Sequence, residues 1–119
     1  MTKFIIKGRL PSLNEYVEAC RSSKYKASSI KKQIDTTIAY QLPHTRLEGL
    51  YDYCFIWTEP DKRRDHDNIA SAAKFIFDAM QQKRIIRNDG WKNVGNILHI
   101  FVHEKGAEYS VEVQATYRG

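Results

Sequence analysis

One stretch limits the possible folds more than any other. In LYDYCFIWTE, residues 50–59, Tyr51, Tyr53, Phe55 and Trp57 alternate with non-aromatic residues. A period of two, rich in aromatic side chains, suits the pleat of a strand and does not fit a helix. The rest of the chain organises around that strand. KFIIKGRL, residues 3–10, reads as an opening strand ended by Pro11, which cannot donate to a ladder. Residues 11–27 are polar and basic with two tyrosines, and are expected to be mostly loop with one helical turn. From Ser28 or Ser29, either of which can cap, Ile30, Ile34, Ile38 and Leu42 recur on one helical face until Pro43 stops them. A second helix is expected from Asp67 as N-cap, with Ile69, Ala72, Ala73, Ile76 and Met80 as its buried stripe. RNDGWKN, residues 87–93, reads as a loop. The tail reads as a hairpin, with NILHIFVH and YSVEVQATY as strands around a turn at Gly106. The expected fold is α+β in the order β-α-β-α-loop-β-β, with a mixed sheet and two main helices, in one domain spanning 1–119.

A chain of 119 residues, 42% hydrophobic and 28% charged, can bury a core without staples. No apolar run approaches the roughly 20 residues of a membrane span, and Lys3, Lys7 and Arg9 interrupt any signal-like N-terminus. Cys20 and Cys54 form no spaced framework, so reduced thiols and a cytoplasmic location are expected. The formal charge of +5 favours an anionic partner, most simply nucleic acid. The cations gather in residues 21–32 (Arg21, Lys24, Lys26, Lys31, Lys32), 62–64 and 83–92 (Lys83, Arg84, Arg87, Lys92).

The middle cluster runs directly into acid: KRRDHDN, residues 62–68. On an extended strand end, Asp65 and Asp67 project together while His66 points away. Two adjacent carboxylates repel unless a cation sits between them. Magnesium commonly takes one or two carboxylates, several waters and a substrate phosphate. Lys62, Arg63 and Arg64 would then meet neighbouring phosphates. The plainer reading makes Asp67 a helix cap and leaves Asp65 in solvent. Asp89 is a third carboxylate, flanked by cations, whose plain reading is turn chemistry in Asn-Asp-Gly. Asp78 lies too far along the helix to join Asp67, and pairs with Lys74 at i, i+4 spacing. Lys74 has a second reading, as a cation reaching along a bound backbone.

Two further classes compete. A DNA-binding module without catalysis would gain nothing from three aspartates facing phosphate, since without metal they repel it. A zinc site is disfavoured: His99 and His103 are four apart in an expected strand, over about 13 Å, and Cys20, Cys54 and His44 lack ligand spacing.

RRDHDNI…AKFIFDAM followed by NDGWKNV resembles the RusA family of Holliday-junction resolvases, small metal-dependent endonucleases often encoded by phages and prophages. LPSLNEY near the N-terminus and EYSVEVQAT near the C-terminus are similar to that family too, so the resemblance covers nearly the whole chain. It implies Asp65, Asp67 and Asp89 as the metal-binding catalytic set, with Lys74 as a required helix lysine. It implies Mg²⁺, with Mn²⁺ able to substitute, and no small-molecule cofactor. It also implies a homodimer that nicks two strands of a four-way junction symmetrically, leaving 5′-phosphate and 3′-hydroxyl ends. Asn14 in LNEY, the lysines at 24, 26, 31 and 32, and Arg87 are the remaining expected DNA contacts.

Overall fold

The computed structural model describes residues 1–119. Its elements are β1 (Thr2–Lys7), α1 (Leu13–Ser22), α2 (Lys24–Ala39), β2 (Tyr51–Glu59), α3 (His66–Ala70), α4 (Ala73–Gln82), β3 (Val94–His103) and β4 (Ser110–Tyr117). The α+β class, the mixed sheet and the assignment of all four strands hold. The sheet order is β1-β4-β2-β3. β4 runs antiparallel to both β1 and β2, whereas β3 runs parallel to β2.

That order corrects the expected hairpin. A tight turn does form, with the Ala107 amide donating to the Glu104 carbonyl and Gly106 at φ 80°. The strands it joins nevertheless lie on opposite sides of β2. The cause is the aromatic strand, whose Tyr53, Phe55 and Trp57 are at most 3% exposed. With β4 and β3 flanking β2, the inward side chains Val111, Val113 and Ala115 join the same core, and both backbone edges of the central strand are satisfied. The Glu104 amide donates to the Glu59 carbonyl, so the connection passes over the end of β2.

Residues 11–27, expected as loop, form α1 and the first turn of α2. A capping box starts α1: Ser12 Oγ accepts from the Glu15 amide at 3.1 Å, and Glu15 Oε1 accepts from the Ser12 amide at 3.4 Å. Arg9 grips the same carboxylate with two hydrogen bonds of 3.0 and 2.8 Å, which hold Glu15 below the ordinary carboxylate range. Ser23, five residues earlier than Ser28, caps α2 by accepting from the Lys26 amide. Ile34 and Ile38 are buried as expected, but the helix ends at Ala39, and Leu42 joins the core from beyond it.

The expected second helix is two pieces. At Ser71–Ala72 the backbone tightens to i, i+3 bonds: Ala72 donates to Ile69, Lys74 to Ser71, and Phe75 to Ala72. Ser71 Oγ donates to the Asn68 carbonyl and accepts from the Leu13 amide, so the start of α1 docks on this break. The helices cover one face of the sheet, where Phe77 meets Tyr53 and Phe55 edge-on. The other face is uncovered, with Ile5, Leu98, Ile100 and Val102 exposed. No helix is long and apolar enough to cross a membrane.

Candidate active site

The parallel strands β2 and β3 end together at Glu59 and His103. The chain leaves β2 through Pro60 and turns into α3, opening a cleft of about 570 Å³ between that turn and the end of β3. Asp61, Lys62, Asp65, His66, Phe101 and His103 line it. The His66 ring stacks on Phe101, with centroids 4.0 Å apart and planes 8° from parallel.

Asp65 is the N-cap of α3, in extended conformation at φ −71° and ψ 156°, and its carboxylate makes no capping hydrogen bond. It is solvent-exposed and directed to the cleft. Asp67, expected to be the cap, lies in the first helical turn instead. The pair is therefore split between the cap and the helix proper. Asp65 and His66 share the cleft, and Asp67 is exposed outside it. The carboxylate that does share the cleft with Asp65 is Asp61, whose Oδ1 accepts from the Arg63 amide at 3.0 Å. Sequence spacing gave no reason to single out Asp61 or His66. Only the parallel docking of β3 beside β2 brings Phe101 and His103 to them.

The basic run divides. Arg63 is 87% exposed and only 3.8 Å from Asp61, and Lys62 is exposed at the rim. Arg64 is not a surface cation. Its Nε and Nη2 donate to the two Glu59 oxygens at 3.1 and 2.9 Å, and its Nη1 donates to the Leu10 carbonyl at 2.9 Å. Its guanidinium lies 5.7 Å from the Tyr109 ring centre. With Nε, Nη1 and Nη2 each bonded inside the fold, Arg64 fastens the cleft wall to the segment before α1 and is withdrawn from the expected DNA contacts.

Asp89 is at the wrong end of the sheet to meet Asp65 and Asp67. Its loop, residues 83–93, feeds β3 at Val94, which pairs with Tyr51 at the start of β2. The length of β2, roughly 25 Å at about 3.3 Å per residue, separates Asp89 from the cleft. Within one chain no three His, Cys, Asp or Glu side chains come close enough to hold an ion together. Around Asp89 the Asn88 side chain accepts from the Gly90 amide, and Trp91 stands 96% exposed. Arg87 and Lys92 line a groove of about 260 Å³ together with Arg46.

Lys74 sits 3.7 Å from Asp78, both side chains roughly half exposed. That is the i, i+4 pair, a contact worth only a few tenths of a kcal/mol and easily exchanged for a ligand. Lys31 forms the same kind of pair with Asp35. Lys24, Lys31 and Lys32 fall within about 100° of arc on α2, with Lys26 on the far flank. Asn14 donates its amide to Asn68 Oδ1 at 3.2 Å, which places the LNEY segment against α3. His99 is half-buried against the core, its Nδ1 accepting from Trp57 Nε1 at 2.9 Å, and this partial burial lowers its pKa. His103, its partner in the zinc reading, reaches the cleft alone. Both cysteines are free.

Searches among protein-family models and curated proteins returned no match to the chain.

Proposed function

We propose that the protein is a metal-dependent endonuclease of the RusA type, cutting branched DNA. The observation that supports this best is the cleft at the ends of β2 and β3. There Asp61, held loosely by the exposed Arg63 at 3.8 Å, and the exposed Asp65 stand beside Lys62, while the nearest buried cation, Arg64, is committed to Glu59. A site for a neutral ligand has no use for exposed carboxylates next to exposed cations. A site for metal and phosphate needs both.

Oxygen donors of this kind fit magnesium, which keeps most of its waters and takes one or two carboxylates. In the cleft Asp65 would hold it, with Asp61 beside it; Asp67 and Asp89, the other two carboxylates that the resemblance implies, lie outside the cleft, and mutation tests their place in the set. A bound Mg²⁺ supplies an activated water and offsets charge on the phosphate. The chain's own part is positioning. Arg64–Glu59 fixes the wall, Asn14–Asn68 and Ser71 fix the body and end of α3 against α1, and Arg63, Lys62 and Lys74 offer cations to the phosphate backbone. The lysines of α2 and the Arg87–Lys92 groove extend the basic surface along the DNA.

The competing reading is a junction-binding protein without catalysis. Labelled four-way junctions and linear duplex, incubated with the protein in Mg²⁺ and in EDTA, separate the two. Paired nicks confined to the junction and abolished by EDTA support the nuclease. Retarded but uncut junctions in Mg²⁺ support the binder. Asp65→Asn and Asp67→Asn should each lose cleavage while retaining junction affinity, and full cleavage by either removes that residue from the metal set.

A further inference from the structure

The pole of the sheet opposite the carboxylate cleft carries a second charged surface. Two loop segments lie side by side there, joined where the Leu47 amide donates to the Ile85 carbonyl at 2.7 Å. Leu47, Ile85 and Ile86 are at most 3% exposed, so both segments are pinned to the core while their cations face out. Two grooves of about 330 and 260 Å³ flank this joint and share Arg46. Lys83 and Arg84 line the first, and Arg87 and Lys92 line the second. Against these five cations stand Glu48, already held by Arg46 at 3.1 Å, and Asp89. Arg84 adopts φ 59°, a left-handed backbone that favours glycine. Strain of this kind persists where a side chain is needed in place, and the side chain kept here lines the groove.

Trp91 stands at the end of this track, next to Lys92 and 96% exposed. It is not on a loose tip. The Asn93 and Val94 amides both donate to the Gly90 carbonyl, and the Gly90 amide donates to Asn88 Oδ1. The Asn93 side chain donates to the Gly49 carbonyl, which ties the turn to the neighbouring loop. The turn is closed on itself and anchored, and it holds the indole out in water.

We propose that this pole binds an unpaired polynucleotide strand, its phosphates lying along the two grooves and one base stacked on Trp91. A duplex offers its phosphates to cations but keeps its base faces inside the stack. A fully presented indole therefore adds to binding only where a base face is free, and every base has one. An anionic bilayer would also attract cations beside an indole, but its flat surface would meet only the rims of the two grooves, which suit a narrow polyanion. The inference does not rest on the nuclease reading, since it needs neither metal nor bond cleavage.

The test is a titration of the wild type in EDTA with oligo-dT and oligo-U of about 15 nucleotides, and with duplex DNA of the same length. Trp57 is 3% exposed and Trp91 96%, so the red edge of the tryptophan emission reports Trp91. A single strand should quench that emission, and the tighter of the two names the preferred sugar. The duplex should bind through phosphate alone, without quenching. Trp91→Ala should weaken single-strand binding about 5- to 100-fold and leave duplex binding unchanged, with Trp91→Phe in between. Arg84→Ala with Arg87→Ala should flatten the slope of log affinity against log salt by about 1. Equal quenching by the duplex, an affinity indifferent to Trp91→Ala, or no binding of either single strand overturns the site. A shift of the emission with phosphatidylserine vesicles but not with oligonucleotides gives the pole to a bilayer and overturns it too. A wild type that binds single strands in this way but never cuts junctions in Mg²⁺ removes the nuclease reading and leaves this site standing. One that cuts junctions yet ignores single strands does the reverse.

Discussion

Replacing Arg64 separates a structural arginine from a phosphate-binding one. The side chain is 14% exposed and its Glu59 partner 9% exposed, joined by two hydrogen bonds, with a third to the Leu10 carbonyl. Arg64→Ala leaves the Glu59 carboxylate buried without its cation. Breaking a buried pair from one side costs about 3–5 kcal/mol, most of it the uncompensated charge. For a domain of this size, at about 4 °C per kcal/mol, the melting temperature should fall by roughly 12–20 °C. Urea unfolding followed by tryptophan fluorescence gives the free energy directly, since Trp57 is buried at 3% exposure close to the pair. The double variant Glu59→Leu/Arg64→Met should recover most of the loss, because hydrophobic replacement of a whole buried pair is often neutral. Arg63→Ala is the contrast, leaving stability unchanged and weakening junction binding, as expected of a side chain 87% exposed. If Arg64→Ala melted like the wild type but lost DNA affinity, the guanidinium would belong to the binding surface and the cleft wall would have to be fixed by something else.

Three further outcomes test the packing. The Tyr53 hydroxyl is buried with no hydrogen-bond partner, and burial pushes its pKa to about 12. Tyr53→Phe should therefore hold or raise stability, by up to roughly 1 kcal/mol in urea, and a clear loss would reveal a partner for the hydroxyl. Arg84 ends α4 at φ 59°, a left-handed conformation that costs a side-chain residue about 1 kcal/mol. Arg84→Gly should thus raise the urea midpoint, and a fall would mean that the Arg84 side chain contributes more than its backbone strain costs. Partial burial holds His99 below its ordinary 6.5. Between that lowered value and 6.5 the unfolded chain binds more protons than the folded one, so stability should be full above pH 6.5 and decline as pH falls through this window. His99→Leu should flatten that part of the profile, and a slope unchanged by the substitution would place the titration on another group.

What the sequence disclosed followed from local pattern. Period-two alternation located β2, and the chain Ile30-Ile34-Ile38 located the core of α2, because in both cases the buried face is written in adjacent residues. α1 was written too, in the Ser12-x-x-Glu15 capping box, but its polar, basic body hid the signal. Partner choice among strands was not local. Nothing between Glu104 and Glu108 reveals that β4 crosses to the far side of β2, since that depends on where the most aromatic strand can bury both flanks. The site suffered the same limit. A carboxylate at the helix start was readable, but it was expected at Asp67 and the cap is Asp65, whereas Arg64 looked like its neighbours Lys62 and Arg63 until Glu59 and Leu10 were found behind it. The distance from Asp89 to Asp65 required the direction of β3, which no spacing contains.

The strand order also sets a schedule for synthesis. β1 has a single neighbour in the sheet, β4, and their pairing joins Thr2 to Ala115. While the ribosome makes the intervening chain, β1 therefore has no place in a ladder, and β2 and β3 can pair with each other first through their own crossover. During that interval the apolar inner face of β1, Phe4 and Ile6, waits uncovered by the sheet. Such an order favours slow final closure and gives chaperones a defined target, the β1 segment, whose partner strand has not yet emerged.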